Sequence, residues 1–122
     1  MQCTAEELEK YRESARRRWA IEERHLDERY TKAWQLAKAA ASLLRNEFGA
    51  KDVFVFGSLV HRELFHPGSD IDLAASGIDP SCYYRAVGRL LALDSTMEFD
   101  LVQFEEISKS WCERIAQEGV RI

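Results

Sequence analysis

The chain has 122 residues, which suits one domain around one core. With 46% hydrophobic and 31% charged residues it is neither a disordered nor a fibrous chain. Its net charge is −4, and residues 49–122 hold twelve Asp/Glu against seven Lys/Arg, so it lacks the broad basic surface of a DNA or RNA binder. The cysteines Cys3, Cys82 and Cys112 are odd in number and far apart, which predicts free thiols in a reducing compartment. No apolar run reaches the length of a membrane span, and the polar start does not read as a signal peptide; the expectation is a cytoplasmic protein.

Residues Ala5 to Phe48 contain no Pro and no Gly and are dominated by Ala, Glu, Arg, Lys and Leu, all strong helix formers. Thr4 and Glu7 have the spacing of a capping box, and Gly49 is a natural stop. As one helix the stretch would be roughly 65 Å long. Leu26, Tyr30, Ala33, Ala37, Ala40, Leu44 and Phe48 form an apolar stripe, so the second half packs on a core. Upstream, Ala5, Leu8, Ala15, Trp19 and Ile21 stand amid dense charge, and that half either projects into solvent or finds a partner. Arg16-Arg17-Arg18 lies at helical spacing from Glu13, Glu22 and Glu23, which predicts pairing along the helix. Trp19 is the best single contact residue, whereas Trp34 and Trp111 are read as core.

After Gly49 the texture changes. "VFVF" (53–56) is a buried strand, and "SLVHRELF" (58–65) has the length of two helical turns. "HPGS" (66–69) is turn chemistry and "DIDLAA" (70–75) a second strand. Asp79 caps and Pro80 opens a helix through "SCYYRAVGRLLAL". "MEFDLVQF" (97–104) alternates as a third strand, "ISKSWCERIAQEG" (107–119) is a last helix, and Val120 and Ile122 extend the tail. The order predicts an α/β fold in one domain, with a long N-terminal helix (1–48) and a compact remainder (49–122).

The aspartates carry the chemistry. Residues i and i+2 of a strand share a face, so Asp70 and Asp72 project together while Ile71 and Leu73 turn to the core. Asp100 sits likewise between Phe99 and Leu101, and neighbouring strands in register would bring three carboxylates together. Such a cluster is self-repelling and calls for divalent cations; Mg²⁺ takes carboxylate and phosphate oxygens, and a pair of ions can clamp an in-line phosphoryl or nucleotidyl transfer. Gly57 and Ser58, at a strand end where a helical turn begins, provide the phosphate cradle: backbone that approaches closely, free N–H groups and a hydroxyl. Eleven residues separate Ser58 from Asp70. His61 and His66 flank the motif and are read as surface loop residues, as His25 is on its charged helix.

Residues 53–122, from "VFVFGSL" through "FHPGSDIDLAASGI" and "EFDLVQFEEI" to "RIAQEGVRI", resemble the minimal nucleotidyltransferases (MNT proteins) of the polymerase-β-type nucleotidyltransferase superfamily. The resemblance implies a small mixed sheet backed by helices. It implies that Asp70 and Asp72 bind two Mg²⁺ ions, that Asp100 binds the catalytic ion and helps deprotonate the acceptor, and that Gly57 and Ser58 hold the triphosphate. It further implies transfer of AMP from ATP to a tyrosine hydroxyl of a small helical HEPN-type RNase toxin, which makes the chain an antitoxin. The long N-terminal helix lies outside the resemblance; electroneutral and highly charged, it is read separately as a docking element, to that partner or to a second copy. After Gly57-Ser58 the chain reads Val60-His61-Arg62-Glu63 where many relatives have Ala-Arg-Gly, and Glu63 brings an acid toward the expected phosphates. That departure sustains a second reading, a binding module that neutralises its partner by contact. Transfer to a small molecule is a third, for which 74 residues after the helix leave no acceptor domain.

Overall fold

The computed structural model describes residues 4–122. Cys3 lies outside the described residues, whereas Cys82 and Cys112 are free and half-buried. No described helix is long and apolar enough to cross a membrane.

Helix α1 runs unbroken over Ala5–Phe48. The Glu7 amide donates to Thr4 Oγ1 at 3.2 Å and the Thr4 amide to Glu7 Oε2 at 3.3 Å, closing the capping box. Gly49 ends the helix at φ 70°, where a side chain would be strained. The two halves differ as the pattern requires. Residues 4–22 are exposed throughout, and Ala33, Ala37, Ala40, Ala41 and Leu44 are buried. Four alanines in that buried stripe let the helix lie close to the sheet.

The sheet contains β1 (Val53–Phe56), β2 (Ile71–Ala75), β3 (Phe99–Gln103) and β4 (Val120–Arg121), in the order β3-β2-β1-β4. β1 pairs antiparallel with β2 and β4, and β2 pairs parallel with β3. Val53, Val55, Ile71, Leu73, Phe99 and Leu101 turn one face of this sheet into the core with α1. α2 (Tyr83–Leu91) contributes Ala86 and Leu90 to the same core. α3 (Lys109–Glu118) lies against the alternate residues of β1: Phe56 meets Trp111 edge-on, with ring centroids 6.2 Å apart.

Two expectations are corrected. Residues 58–65 do not form two α-helical turns; they form separate 3₁₀ turns at Gly57–Leu59 and Arg62–Leu64. Leu59 and Phe65 are six residues apart, which would place them on different faces of one α-helix, yet both are buried in the core beside α1. Breaking the helix at His61 meets both demands. Trp111 is not a core residue: it is 45% exposed and covers Phe56 from the solvent side.

Tyr30 donates to the Leu59 carbonyl at 3.1 Å, and its ring meets Phe65 edge-on. Arg62 stacks over the Tyr30 ring and pairs with Asp27 and Glu23, so that arginine is committed to α1. Leu73, fully buried in β2, is the central packing residue of the sheet. Leu73→Ala is expected to cost about 3 kcal/mol, measured as the change in denaturant midpoint at constant slope.

Candidate functional site

Register builds the site. Phe56 is the Cα partner of Asp72 across β1 and β2, and Asp72 is the partner of Asp100 across β2 and β3. Directly paired residues share a face, so Phe56, Asp72 and Asp100 form a row across three strands, with neighbouring strands about 4.8 Å apart. This is the face opposite the core, the one α3 partly covers. Asp70 stands one residue before β2 and is exposed. Ser69 anchors it: buried, it accepts from the His66 amide through Oγ at 3.0 Å and donates its own amide to the His66 carbonyl at 2.9 Å.

The row is electrostatically costly without a counter-charge. Burial, then the charges of Asp100 and Asp70, push the Asp72 carboxyl up to about 6. Tyr83, whose hydroxyl donates to the Leu101 carbonyl at 2.7 Å, is also pushed up, by burial and then by Asp100. Among the described residues no three His, Cys, Asp or Glu side chains are drawn close enough to form a closed metal site. Even so, the donor set fits a hard divalent cation: all its ligands are oxygens, they share one face, and the most buried member is destabilised by its neighbours.

Gly57 stands where β1 ends, at φ 76°. A Cβ there would overlap Asp72 Oδ2, so the glycine both supplies the left-handed turn and leaves room for the carboxylate. Gly57 and Ser58 line one end of a cavity of about 400 Å³, whose other walls include Phe56, His61, Trp111 and Arg114. Arg114 pairs with Glu118 on its own helix at 3.4 Å, an exposed contact that leaves the guanidinium available to an anion. Glu63 is absent from these walls; it lines a separate hollow with Trp19, Asp27 and Arg62.

The structure therefore brings Asp72, Asp100, Gly57 and Ser58 together, with Asp70 at the open edge. Sequence reasoning missed Arg114 and took Trp111 for core. Their signal was present in the periodicity of residues 109–118, where Trp111, Arg114 and Glu118 follow at three- and four-residue steps and fall on one side of α3.

Residues 38–122 match the family model described as Polymerase beta, Nucleotidyltransferase. No curated protein matches the chain. Among solved structures, the chain is similar to one from a toxin–antitoxin complex with AMP-PNP, at 22% identity, 70% coverage of each chain and a TM-score of 0.59. It is similar to one from a tri-AMPylated Shewanella oneidensis HEPN toxin in complex with MNT antitoxin, at 19% identity, 73% and 70% coverage and a TM-score of 0.55. It is also similar to one from the toxin–antitoxin MntA-HepT, at 21% identity, 72% and 69% coverage and a TM-score of 0.53. At such identities the likeness speaks of the fold alone.

The raised Asp72 carboxyl gives a signed prediction. A native-state value above the ordinary one means that Asp72 weakens the fold once pH rises from about 4 through 6, and has no such effect below. Metal-free Asp72→Asn should be more stable than the parent at pH 8, by about 1 kcal/mol after discounting for solvent screening. The gain should vanish near pH 3.5, as read from paired thermal melts.

Proposed function

Because the chain belongs to the polymerase beta nucleotidyltransferase family, we propose that it transfers AMP from ATP to a tyrosine hydroxyl of a HEPN-type helical toxin and thereby acts as its antitoxin. The observation that carries the reading is the in-register pairing of Asp72 with Asp100 beside the Gly57–Ser58 turn. In this reading it joins a cation site to a phosphate site on one face of one sheet. The similar solved structures, which hold MNT with a tri-AMPylated HEPN toxin and a toxin–antitoxin complex with AMP-PNP, support the same acceptor and nucleotide class.

In this reading Asp70, Asp72 and Asp100 hold two Mg²⁺ ions, which when bound offset the phosphate charge and the mutual repulsion of the carboxylates. The Gly57 and Ser58 backbone and the Ser58 hydroxyl hold the β- and γ-phosphates, with Arg114 as the cation and His61 as a further polar group at the cavity wall. The acceptor oxygen bonds to the α-phosphorus, the bond from that phosphorus to the pyrophosphate oxygen breaks, and the acceptor proton passes to Asp100. Asp100 suits that duty, being the exposed paired member of the row and open to an incoming hydroxyl.

The contact-only reading rests on Glu63 near the phosphates; Glu63 lines the hollow beside Trp19, with its Oε1 3.8 Å from His61 Nδ1, and the Asp72→Ala comparison separates the two readings.

The test is intact-mass measurement of a HEPN-type toxin encoded beside this chain, incubated with the chain, ATP and Mg²⁺. Mass steps of one AMP are expected, and none with Asp72→Ala. A stable complex with no mass change would contradict the proposal. Arg114→Ala is expected to raise KM for ATP about tenfold with kcat changed less, the pattern of a lost charge-assisted phosphate contact.

A further inference from the structure

The exposed half of α1 carries an apolar face that the catalytic region does not cover. Leu8, Tyr11 and Trp19 are 48%, 67% and 66% exposed. Leu8, Leu26 and Leu44 are successive multiples of 18 residues apart, five whole turns at 3.6 residues per turn. The free stripe is thus in phase with the buried one, and whatever covers Leu8 and Trp19 lies on the same side of α1 as the catalytic region. Trp19 already lines a hollow with Leu26 and Pro67, at the point where the helix leaves that region.

We propose that residues 4–23 pair antiparallel with the same segment of a second copy of this chain, Leu8 of each packing against Trp19 of the other. Length is the first argument. With Leu8 level with Trp19, Thr4 of one copy falls level with Glu23 of the other, one turn before Leu26 meets its own core. Over the described residues the two segments 4–23 overlap along their whole length. Glu23 then stands beside the N-terminus of the other helix, where a negative charge is favourable.

Charge is the second argument. In this register Arg12 faces Ala15, whose small side chain leaves room for the long stem. On one flank Glu9, held in its own helix only by an exposed 3.9 Å contact to Arg12, comes within two residues of level with Arg16 of the second copy, and on the other Glu7, whose Oε2 also accepts from the Thr4 amide, comes as near Arg18. Two-fold symmetry makes four such pairs. Among the described residues Arg17 pairs with Glu13 within its own helix, whereas neither Arg16 nor Arg18 forms an ion pair. The basic triplet, read from sequence as internally paired, leaves two of its three charges for a partner, and a second copy carries matching acids at the matching height.

The experiment is sedimentation equilibrium of the full chain alone, from about 1 to 100 µM, a range that brackets micromolar association. The parent is expected to approach twice the chain mass at the upper end. Trp19→Ser, a change at an exposed residue, should return the chain mass with an unchanged thermal melt of the catalytic region. Arg16→Glu should weaken the dimer about tenfold, and Glu9→Arg combined with Arg16→Glu should bring it back to within about threefold of the parent. Chain mass at every concentration would overturn the proposal, including the case in which the helix binds only a HEPN-type protein. So would a dimer that survives Trp19→Ser, or a double variant no better than Arg16→Glu.

Discussion

Two carboxylates of like charge held side by side across a parallel strand pair govern this molecule. Asp72 and Asp100 are register partners, so no side-chain rotation takes them far apart. The rest of the sheet supports that repulsion. Ile71 and Leu73 on one strand, and Phe99 and Leu101 on the other, bury the opposite face so completely that the register cannot slip by one residue without turning the core outward. The missing Cβ at Gly57 is part of the same constraint, because a side chain there would take the space of Asp72. A stable fold thus holds a self-repelling pair of oxygen donors in place, a donor set that fits a hard cation.

Much of this was legible in the residues. The period-2 alternation around Asp70, Asp72 and Asp100 gave both the strands and the face, because burial of one side of a sheet fixes the other. Gly49, Thr4 and Glu7 marked the ends of α1 because caps are local chemistry. What was not legible depended on contacts distant in sequence. The 3₁₀ path of residues 57–64 follows from the need of both Leu59 and Phe65 to reach the core beside α1, which no local window records. Trp111 was taken as core on hydrophobicity, yet α3 covers only part of the sheet and leaves that ring at the cavity mouth. The position of Glu63 was likewise set from afar: Arg62 is drawn to Asp27, Glu23 and the Tyr30 ring, and Glu63 lines the hollow beside Trp19 with its Oε1 3.8 Å from His61 Nδ1.

One helix thus does two things. Its second half supplies the small residues that bring it against the sheet and the tyrosine that fixes the chain after the Gly57–Ser58 turn. Its first half continues the same stripe into solvent, with bulkier side chains. Small residues suit close packing on a rigid sheet. Leu8 and Trp19 suit a surface assembled from another molecule.

The central claim is that the carboxylate row exists to hold a metal-bound nucleoside triphosphate. Calorimetric titration with a non-hydrolysable ATP analogue tests it most directly, run with Mg²⁺ and with chelator, on the parent and on Asp100→Asn. The account predicts binding that needs Mg²⁺ in the parent and is at least tenfold weaker in the variant. Equal binding with chelator, or an Asp100→Asn variant that binds as the parent does in Mg²⁺, would contradict it.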